Sequence, residues 1–236
     1  MSVSKASSIP LRRLTVNYTL QFRDIWRNFD FFVEGFWHTL WISVVAMLAA
    51  VVAGTLIAVA RGSKVKIFRV LSSIYVEAIR NTPLLIQIWL LYFGLGEIGI
   101  HIPALVCGLI SLAINTAAYT AEILRAGFES VNKGIREAMA SLGMTPLQTY
   151  RFAVFPLGFR AVLPSLCNMT IQCLLASSLL STLGINELTN QATRIASKTF
   201  RSFESYIVIA VIYIFITLGI TSFFALVTKK TKGSLH

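Results

Sequence analysis

Long stretches without a charged residue alternate with short polar segments along the 236-residue chain. A helix that crosses a hydrocarbon layer of about 30 Å needs roughly 20 predominantly apolar residues. Uncharged stretches of that length lie at 41–60, 102–121, 161–185 and 206–228. A fifth stretch, 70–96, is interrupted by Glu77 and Arg80, so we expect its helix to begin in the cytoplasmic interface. The pattern predicts an all-α membrane protein with about five transmembrane helices.

Composition supports this class. Apolar residues make up 56% of the chain, charged residues 13%, and the mean hydropathy is +0.72. Soluble domains carry about 25% charged residues, so a soluble domain is excluded, as are a disordered chain and a secreted disulfide scaffold. The net charge of +11 does not indicate a nucleic-acid partner, because the basic residues lie between apolar stretches, where anionic lipid head groups would meet them. Cys107, Cys167 and Cys173 lie inside apolar stretches and are expected to be buried.

The distribution of basic residues predicts an orientation. Five crossings place the termini on opposite sides, and more Lys and Arg lie on the side of the 61–69 and 125–160 loops and the C-terminal tail. The positive-inside rule therefore predicts a periplasmic N-terminus and a cytoplasmic C-terminus, although the basic N-terminal tail argues the other way. We expect a membrane domain at 32–228, with a cytoplasmic loop at about 126–158 and a basic cytoplasmic tail at 229–236.

The first 31 residues are expected to form an N-terminal tail. Arginines alternate there with large apolar and aromatic side chains, a composition typical of segments that lie along a membrane surface. An irregular leader into the first helix explains the same residues equally well. A cleaved signal peptide is not expected, because the segment lacks a compact apolar core.

Catalytic chemistry is not expected. The three histidines, His38, His101 and His236, are far apart, so they do not predict a metal site. A Gly-rich phosphate loop of the GxxxxGK[ST] type is absent from the sequence, so the chain is not expected to hydrolyse nucleotide. Hydroxyl residues in membrane helices, such as Ser177 and Ser178, usually pack or bond across helices.

The 125–160 loop contains a local pattern of its own. Residues 137–142 predict a short helix, and Gly143 predicts its end, because glycine adopts the left-handed conformation readily. Thr145 is a candidate N-cap, with Pro146 in the first position of a second helix at 146–155 that ends at Pro156. Two short helices around a sharp turn could transmit force from a cytoplasmic partner, or form a passive loop.

The same residues resemble a known motif. Glu137-Ala138-Met139, Gly143 and Phe155-Pro156 are similar to the EAA loop of bacterial ABC importer permeases, with Met139 in place of the third alanine and Ala153 and Phe155 in place of an Ile and a Leu. Blocks at 35–40, 75–87, 118–125 and 183–188 resemble the polar amino acid permeases of that superfamily (the histidine, glutamine and glutamate type). The similarity runs from about residue 32 to residue 228.

The resemblance implies a type I ABC importer transmembrane domain in the bacterial inner membrane. It implies two cytoplasmic ATPase subunits, a second permease of the same or a sister chain, and a binding protein that delivers an amino acid. ATP and Mg would be bound by the partner ATPase, and no cofactor by this chain. The implied ATPase-coupling residues are Glu137, Ala138, Met139, Ser141, Leu142, Gly143, Met144 and Thr145. Gly143 would matter for its positive φ, and Glu137 for a polar contact or as a charge near the N-terminus of its helix.

Polar residues within the membrane stretches are candidates for the substrate path. They are Gln87, Asn115, Thr116, Asn168, Gln172, Ser177 and Ser178. Hydrogen bonding between helices explains them at least as well. Many relatives carry a Lys-Asp-Thr-Ser-like stretch where this chain has residues 175–178, Leu-Ala-Ser-Ser, so the sister subunit could hold the site or the substrate could be less charged.

Two charge pairs lie at the edges of membrane stretches. Glu77 and Arg80, and likewise Glu122 and Arg125, are three residues apart and are expected to share a helix face. Such pairs could stabilise the fold at the membrane boundary or take part in gating.

The favoured function is therefore the permease subunit of an ABC importer for a polar amino acid. The alternatives are a permease for another small polar solute, a stand-alone secondary carrier and a structural membrane anchor. A secondary carrier would be expected to show internal repeats and intramembrane carboxylates, and four of the five stretches are uncharged.

Overall fold

The computed structural model describes residues 19–233, and within that range every regular element is helical. The helices are α1 (Arg23–Arg27), α2 (Phe29–Arg61), α3 (Lys66–Arg80), α4 (Leu84–Trp89), α5 (Leu95–Glu97), α6 (Ala104–Glu129), α7 (Lys133–Ser141), α8 (Pro146–Thr149), α9 (Phe155–Ala176), α10 (Leu188–Thr199) and α11 (Ser202–Gly233). Within residues 19–233, four helices are long and apolar enough to cross a membrane: Phe29–Arg61, Ala104–Glu129, Pro146–Leu183 and Ser202–Lys229. Most of the predicted N-terminal tail and the end of the basic C-terminal tail lie outside the described residues.

The first long helix, α2, begins twelve residues before the uncharged stretch predicted from the sequence. Aromatic and apolar residues continue through that extension, which keeps the helix 33 residues long, or about 50 Å. That length exceeds a hydrocarbon layer of about 30 Å. Trp26, just before α2, and Trp37 within its extension are largely exposed. Such tryptophans are typical of the membrane–water interface.

The predicted fifth helix is shorter than expected. The 70–96 stretch is divided at Asn81–Pro83 into α3 and a shorter apolar helix, Leu84–Glu97, which continues from α4 through a π-helical turn into α5. Pro83 lacks an amide hydrogen and disfavours helical backbone at Thr82, which accounts for the break. The side-chain amide of Gln87 donates to the carbonyl oxygens of Ile79 and Thr82, at 2.9 and 3.0 Å. A side chain of α4 thus satisfies backbone carbonyls at the end of α3 and within the break.

The second short helix predicted in the 125–160 loop does not end at Pro156. Residues Pro146–Leu183 form a continuous helical run of 38 residues, with a π-helical turn at Tyr150–Val154 and a 3₁₀ segment at Ser177–Leu183. A proline ring clashes with the carbonyl four residues earlier in a regular α-helix. The π-helical turn ends at Val154, two residues before Pro156, and changes the local backbone spacing, so the helix continues into the membrane.

The core lies between α2, α6 and α9. Ile42, Leu112 and Cys173, one from each helix, belong to one buried cluster. Gly54 allows α2 and α6 to approach closely, because a Cβ at this position would lie 2.9 Å from the carbonyl oxygen of Ala117. Cys107 and Cys167 are buried as well, as the sequence predicts for all three cysteines.

Candidate coupling turn and polar helix face

Helix α7 is attached to the end of α6 by few contacts. Its N-cap, Asn132, accepts a hydrogen bond from the amide of Gly134 at 2.8 Å, so the helix begins four residues earlier than predicted. Arg136 donates to the carbonyl oxygen of Phe128 at 3.0 Å, and none of the residues of α7 is buried. The expected position of Glu137 near the N-terminus of its helix is wrong, because Glu137 is the fifth residue of α7.

The turn after α7 has well-defined backbone geometry. Gly143 has φ +76, and its amide donates to the carbonyl of Ala140 at 3.0 Å. The amide of Met144 donates to the carbonyl of Met139 at 3.1 Å, which completes a Schellman C-cap. Nothing lies within 4 Å of the position that a Gly143 Cβ would take. Glycine is favoured there by its backbone conformation alone.

A capping box begins the next helix. The Thr145 hydroxyl accepts from the amide of Gln148 at 3.4 Å, and the Gln148 side chain accepts from the amide of Thr145 at 2.8 Å. Pro146 occupies the first turn. Two large apolar side chains flank the turn and face outward, with Leu142 77% exposed and Leu147 76% exposed. We call residues 133–149 the coupling turn.

An aromatic cluster joins the coupling turn to the membrane helices. The ring of Phe128, at the end of α6, stacks on Phe155 with centroids 6.1 Å apart, and it lies at the same distance from Tyr150. Phe155 in turn stacks on Phe159, with centroids 5.9 Å apart. The helix that leaves the coupling turn is therefore packed against α6 along two turns.

Glu122 lies among three arginines, a cluster that the sequence pairing only partly anticipated. Its carboxylate pairs with Arg125 at 2.5 Å and with Arg61, the last residue of α2. Arg80 ends α3 with a nitrogen 3.9 Å from the same carboxylate. The expected pair between Glu77 and Arg80 is not found among residues 19–233, because Arg80 turns toward α6 and Glu77 is exposed.

The candidate path residues separate into different environments. Gln87 and Asn115 lie together, with the Asn115 amide donating to the Gln87 side-chain oxygen at 3.1 Å. Thr116 is buried within α6. Ser177 and Ser178 donate to the carbonyls of Leu174 and Leu175, each at 2.7 Å, and so satisfy the local helix.

Asn168 and Gln172 are different, because both side chains are exposed on α9. Neither amide makes a hydrogen bond to the described part of the chain. They share one helix face, which we call the polar stripe of α9, with Ala161, Pro164, Ser165 and Leu175. An unpaired amide in an apolar medium costs roughly 2–7 kcal/mol, so this face is poorly suited to lipid. The sequence candidates therefore do not form one site: Gln87 and Asn115 lie inside the bundle, and Asn168 and Gln172 lie on its surface.

Glu187 is a buried acidic residue whose role the sequence pattern does not predict. It caps α10, accepting from the amides of Thr189 and Asn190 at 2.8 and 2.6 Å, and the Tyr213 hydroxyl donates to it at 3.3 Å. Burial raises the pKa of Glu187 to about 7, against the lowering effect of these hydrogen bonds. An acidic residue directly before a helical segment was the available signal for this cap.

Residues 19–233 contain no group of three or more His, Cys, Asp or Glu side chains placed to hold a metal ion.

Comparison with known proteins identifies the family. Residues 50–233 match the family described as binding-protein-dependent transport system inner membrane component. The chain is 36% identical over 194 residues to the probable glutamine ABC transporter permease protein GlnM of Bacillus subtilis, covering 82% of this chain and 90% of that protein. It is 33% identical over 210 residues to the glutamine transport system permease protein GlnP of Escherichia coli K12, covering 88% and 96%.

Solved structures agree. A crystal structure of an amino acid ABC transporter with histidines has a TM-score of 0.86 and 39% identity, covering 90% of this chain and all of that one. The MetNI methionine ABC transporter in an inward-facing form has a TM-score of 0.69 at 19% identity, covering 90% and 99%, which shows a shared fold alone. The predicted type I importer fold and the resemblance to ABC importer permeases are confirmed. Permeases of this kind work with an ATPase and a substrate-binding partner. The chain belongs to the inner membrane components of binding-protein-dependent transport systems, as a non-catalytic, multi-pass permease subunit of an importer.

Proposed function

We propose that the chain imports a polar amino acid, and that a cytoplasmic ATPase docks on the coupling turn. The observation that carries the docking proposal is the exposure of Leu142 and Leu147 on either side of Gly143, next to a helix with no buried residue. Two large apolar side chains on a rigid turn suit a pocket in a partner protein. The substrate class is supported by relatives named as glutamine and amino-acid permeases.

The turn is rigid enough to transmit movement. The Schellman cap fixes the end of α7, and the capping box fixes the start of α8, so few backbone torsions are free between them. The aromatic cluster around Phe128 then connects the turn to α6 and α9. Closure of two ATPase subunits, which would bind the ATP and Mg, pushes two coupling turns and rocks the helices between inward- and outward-facing states. The coupling turn then lies in the cytoplasm with the C-terminus, and the N-terminus is periplasmic.

A second permease is proposed to cover the polar stripe of α9. The exposed amides of Asn168 and Gln172 need polar partners, which a second copy or a sister chain would supply together with a hydrated path. Substrate released by a periplasmic binding protein would move along this stripe. Because residues 175–178 lack charges, the stripe suits an amino acid bound mainly through hydrogen bonds, or a path whose charged site is on a sister chain. A permease for another small polar solute is the alternative.

The first experiment is affinity purification of the chain from native membranes in mild detergent, with mass spectrometry of the copurifying proteins. We expect an ATPase with nucleotide-binding motifs, and a sister permease if the complex is a heterodimer. Gly143→Val should reduce ATPase recovery, because an L-residue at φ +76 costs roughly 1–2 kcal/mol and β-branching adds to this. Gly143→Asn is the matched control, since asparagine tolerates this conformation.

The two variants separate a conformational effect from loss of the fold. The added Cβ meets no neighbour in either variant, because nothing lies within 4 Å of its position. Equal ATPase recovery with Gly143→Val and Gly143→Asn, in samples of equal thermal stability, would contradict the docking proposal. Uptake of radiolabelled glutamine, histidine, arginine and glutamate by the reconstituted complex then tests the substrate class, and transport of none of them would contradict it.

A further inference from the structure

We infer that Glu122 is a positioning residue that ties the C-terminal ends of α2 and α3 to α6, so that all three move with the coupling turn. The inference rests on the proposed function, because it concerns how movement of that turn reaches the rest of the bundle. It begins from the convergence of three arginines, from three helices, on one carboxylate.

The same helices also pack through an apolar cluster, in which Val76 of α3 and Ala121 of α6 lie with Ala58 of α2, and the Tyr119 hydroxyl donates to the carbonyl of Arg80 at 3.3 Å. The ion cluster adds a charged contact at the ends of the helices. Arg61 is the last residue of α2 and Arg80 the last of α3, and both reach Oε2 of Glu122, while Arg125 binds Oε1. The Arg61 side chain is 14% exposed and that of Glu122 is 23% exposed, so water only partly screens the pair. Removing one partner of a largely buried ion pair destabilises the fold strongly, because the other charge is left without compensation.

Neighbouring acidic groups do not replace Glu122. Glu129 pairs with Arg125 at 2.5 Å, but its side chain is 64% exposed and it contacts neither Arg61 nor Arg80 within the described residues. Glu77, one turn before Arg80, is exposed and makes no ion pair in residues 19–233. Loss of the Glu122 charge would therefore leave Arg61 and Arg80 near Arg125 with no carboxylate between them, and the like charges would separate the helix ends.

The cluster is also connected to the coupling turn. Arg136 of α7 donates to the carbonyl of Phe128, six residues along α6 from Glu122, a distance of about 9 Å along the helix. Glu122 additionally lines a cavity of about 340 Å³ between α6 and α9, together with Ala161 and Ser165 of the polar stripe. Glu122 thus lies where the end of the bundle, the coupling turn and the polar stripe meet.

The test compares Glu122→Gln with Glu129→Gln in the purified complex with its ATPase, reconstituted in liposomes. Both variants remove one carboxylate that binds Arg125, but only the first releases Arg61 and Arg80. We expect Glu122→Gln to lower amino acid uptake per ATP hydrolysed at least about tenfold, a change worth about 1.4 kcal/mol, while ATP hydrolysis stays within about twofold. Glu129→Gln should leave the ratio unchanged. If Glu122→Gln leaves the ratio of uptake to ATP hydrolysis unchanged, including the case in which both fall by the same factor, the inference is overturned.

A distance measurement tests whether Glu122 holds the helix ends together without measuring transport. Failure of this inference can therefore be distinguished from failure of the proposed function. Spin labels at Lys64, after α2, and Ser130, after α6, report the separation of these helix ends by pulsed electron resonance in detergent. Glu122→Gln should lengthen and broaden this distance, and Glu129→Gln should not. An unchanged distance in Glu122→Gln would overturn the inference even if the complex transports. If Glu122→Gln does not assemble, Arg61→Gln and Arg80→Gln decide by the same two readouts.

Discussion

Replacing the buried Glu187 by glutamine is expected to remove a pH dependence of stability. In the unfolded chain this carboxyl ionises near its ordinary pKa of 4.5, whereas burial raises the pKa in the folded chain to about 7. The folded chain therefore holds more protons than the unfolded chain between these values, and its stability falls as the pH rises from 4.5 to 7. At roughly 1.4 kcal/mol per pH unit, the ionised form of Glu187 costs the fold about 3 kcal/mol at pH 8.

The Glu187→Gln variant is neutral at every pH, so its stability lacks this contribution. A glutamine oxygen can still accept from one of the two amides, of Thr189 or Asn190, but its NH₂ group opposes the other. That lost bond costs about 1–3 kcal/mol at all pH values. The prediction therefore concerns the gap between the two proteins, which should shift in favour of the wild type by about 3 kcal/mol between pH 8 and pH 4.5.

Thermal unfolding of the purified chain in detergent measures this gap. For a chain of this size, 1 kcal/mol shifts Tm by about 2–4 °C, so the difference in Tm should change by roughly 6–12 °C over the pH range. Glu97→Gln, at an exposed position, is the control, and its gap to the wild type should stay constant. A Glu187→Gln gap that differs by less than about 2 °C between pH 8 and pH 5 would refute the reasoning.

The remaining predictions concern packing and the coupling turn. Gly54→Ala should destabilise the chain by roughly 1–3 kcal/mol in thermal unfolding, because its Cβ would lie 2.8 Å from the Cβ of Thr120, whereas Gly62→Ala meets nothing closer than 3.6 Å; equal losses would contradict the packing account. Thr145→Ala should remove the capping box at a cost of about 1 kcal/mol, or roughly fivefold in ATPase recovery, while Tm falls by no more than about 2–4 °C. Thr145→Ser should restore recovery, and failure to do so would exclude the cap as the cause.

The fold could be predicted from the sequence wherever hydropathy alone decides it. Residues 102–121 and 206–228 are uncharged over the length of a bilayer, and the structure has the long helices α6 and α11 there. Two errors came from prolines. Pro83 divides the 70–96 stretch into two helices, and Gln87 satisfies carbonyl groups at that break. Pro156 does not end its helix, because a π-helical turn precedes it. Such compensation depends on backbone geometry that residue type does not specify.

The coupling turn was predictable because its signals are local. Gly143 and Thr145 act on neighbours within a few residues, and the structure has the backbone conformations that these residue types favour. The ion pairs depend on tertiary contacts: spacing predicted the Glu122–Arg125 pair, but Arg61 reaches Glu122 from 61 residues away. Glu187 was not assigned a role, because its burial results from packing of α10 against α2 and α11.

The hydrogen bonds of the polar side chains in the membrane helices bear on the proposal that a second permease covers α9. Within the membrane helices, hydroxyls such as those of Ser43 and Thr55 donate to carbonyls one turn earlier, so they need no partner from outside. A side-chain amide cannot be satisfied so easily, since it has both donors and an acceptor. Gln87 and Asn115 satisfy each other and the broken helix, whereas Asn168 and Gln172 have no such neighbours. Of these four amides, Asn168 and Gln172 alone lack a hydrogen-bond partner within residues 19–233, and this supports the proposal that a second permease covers the polar stripe of α9.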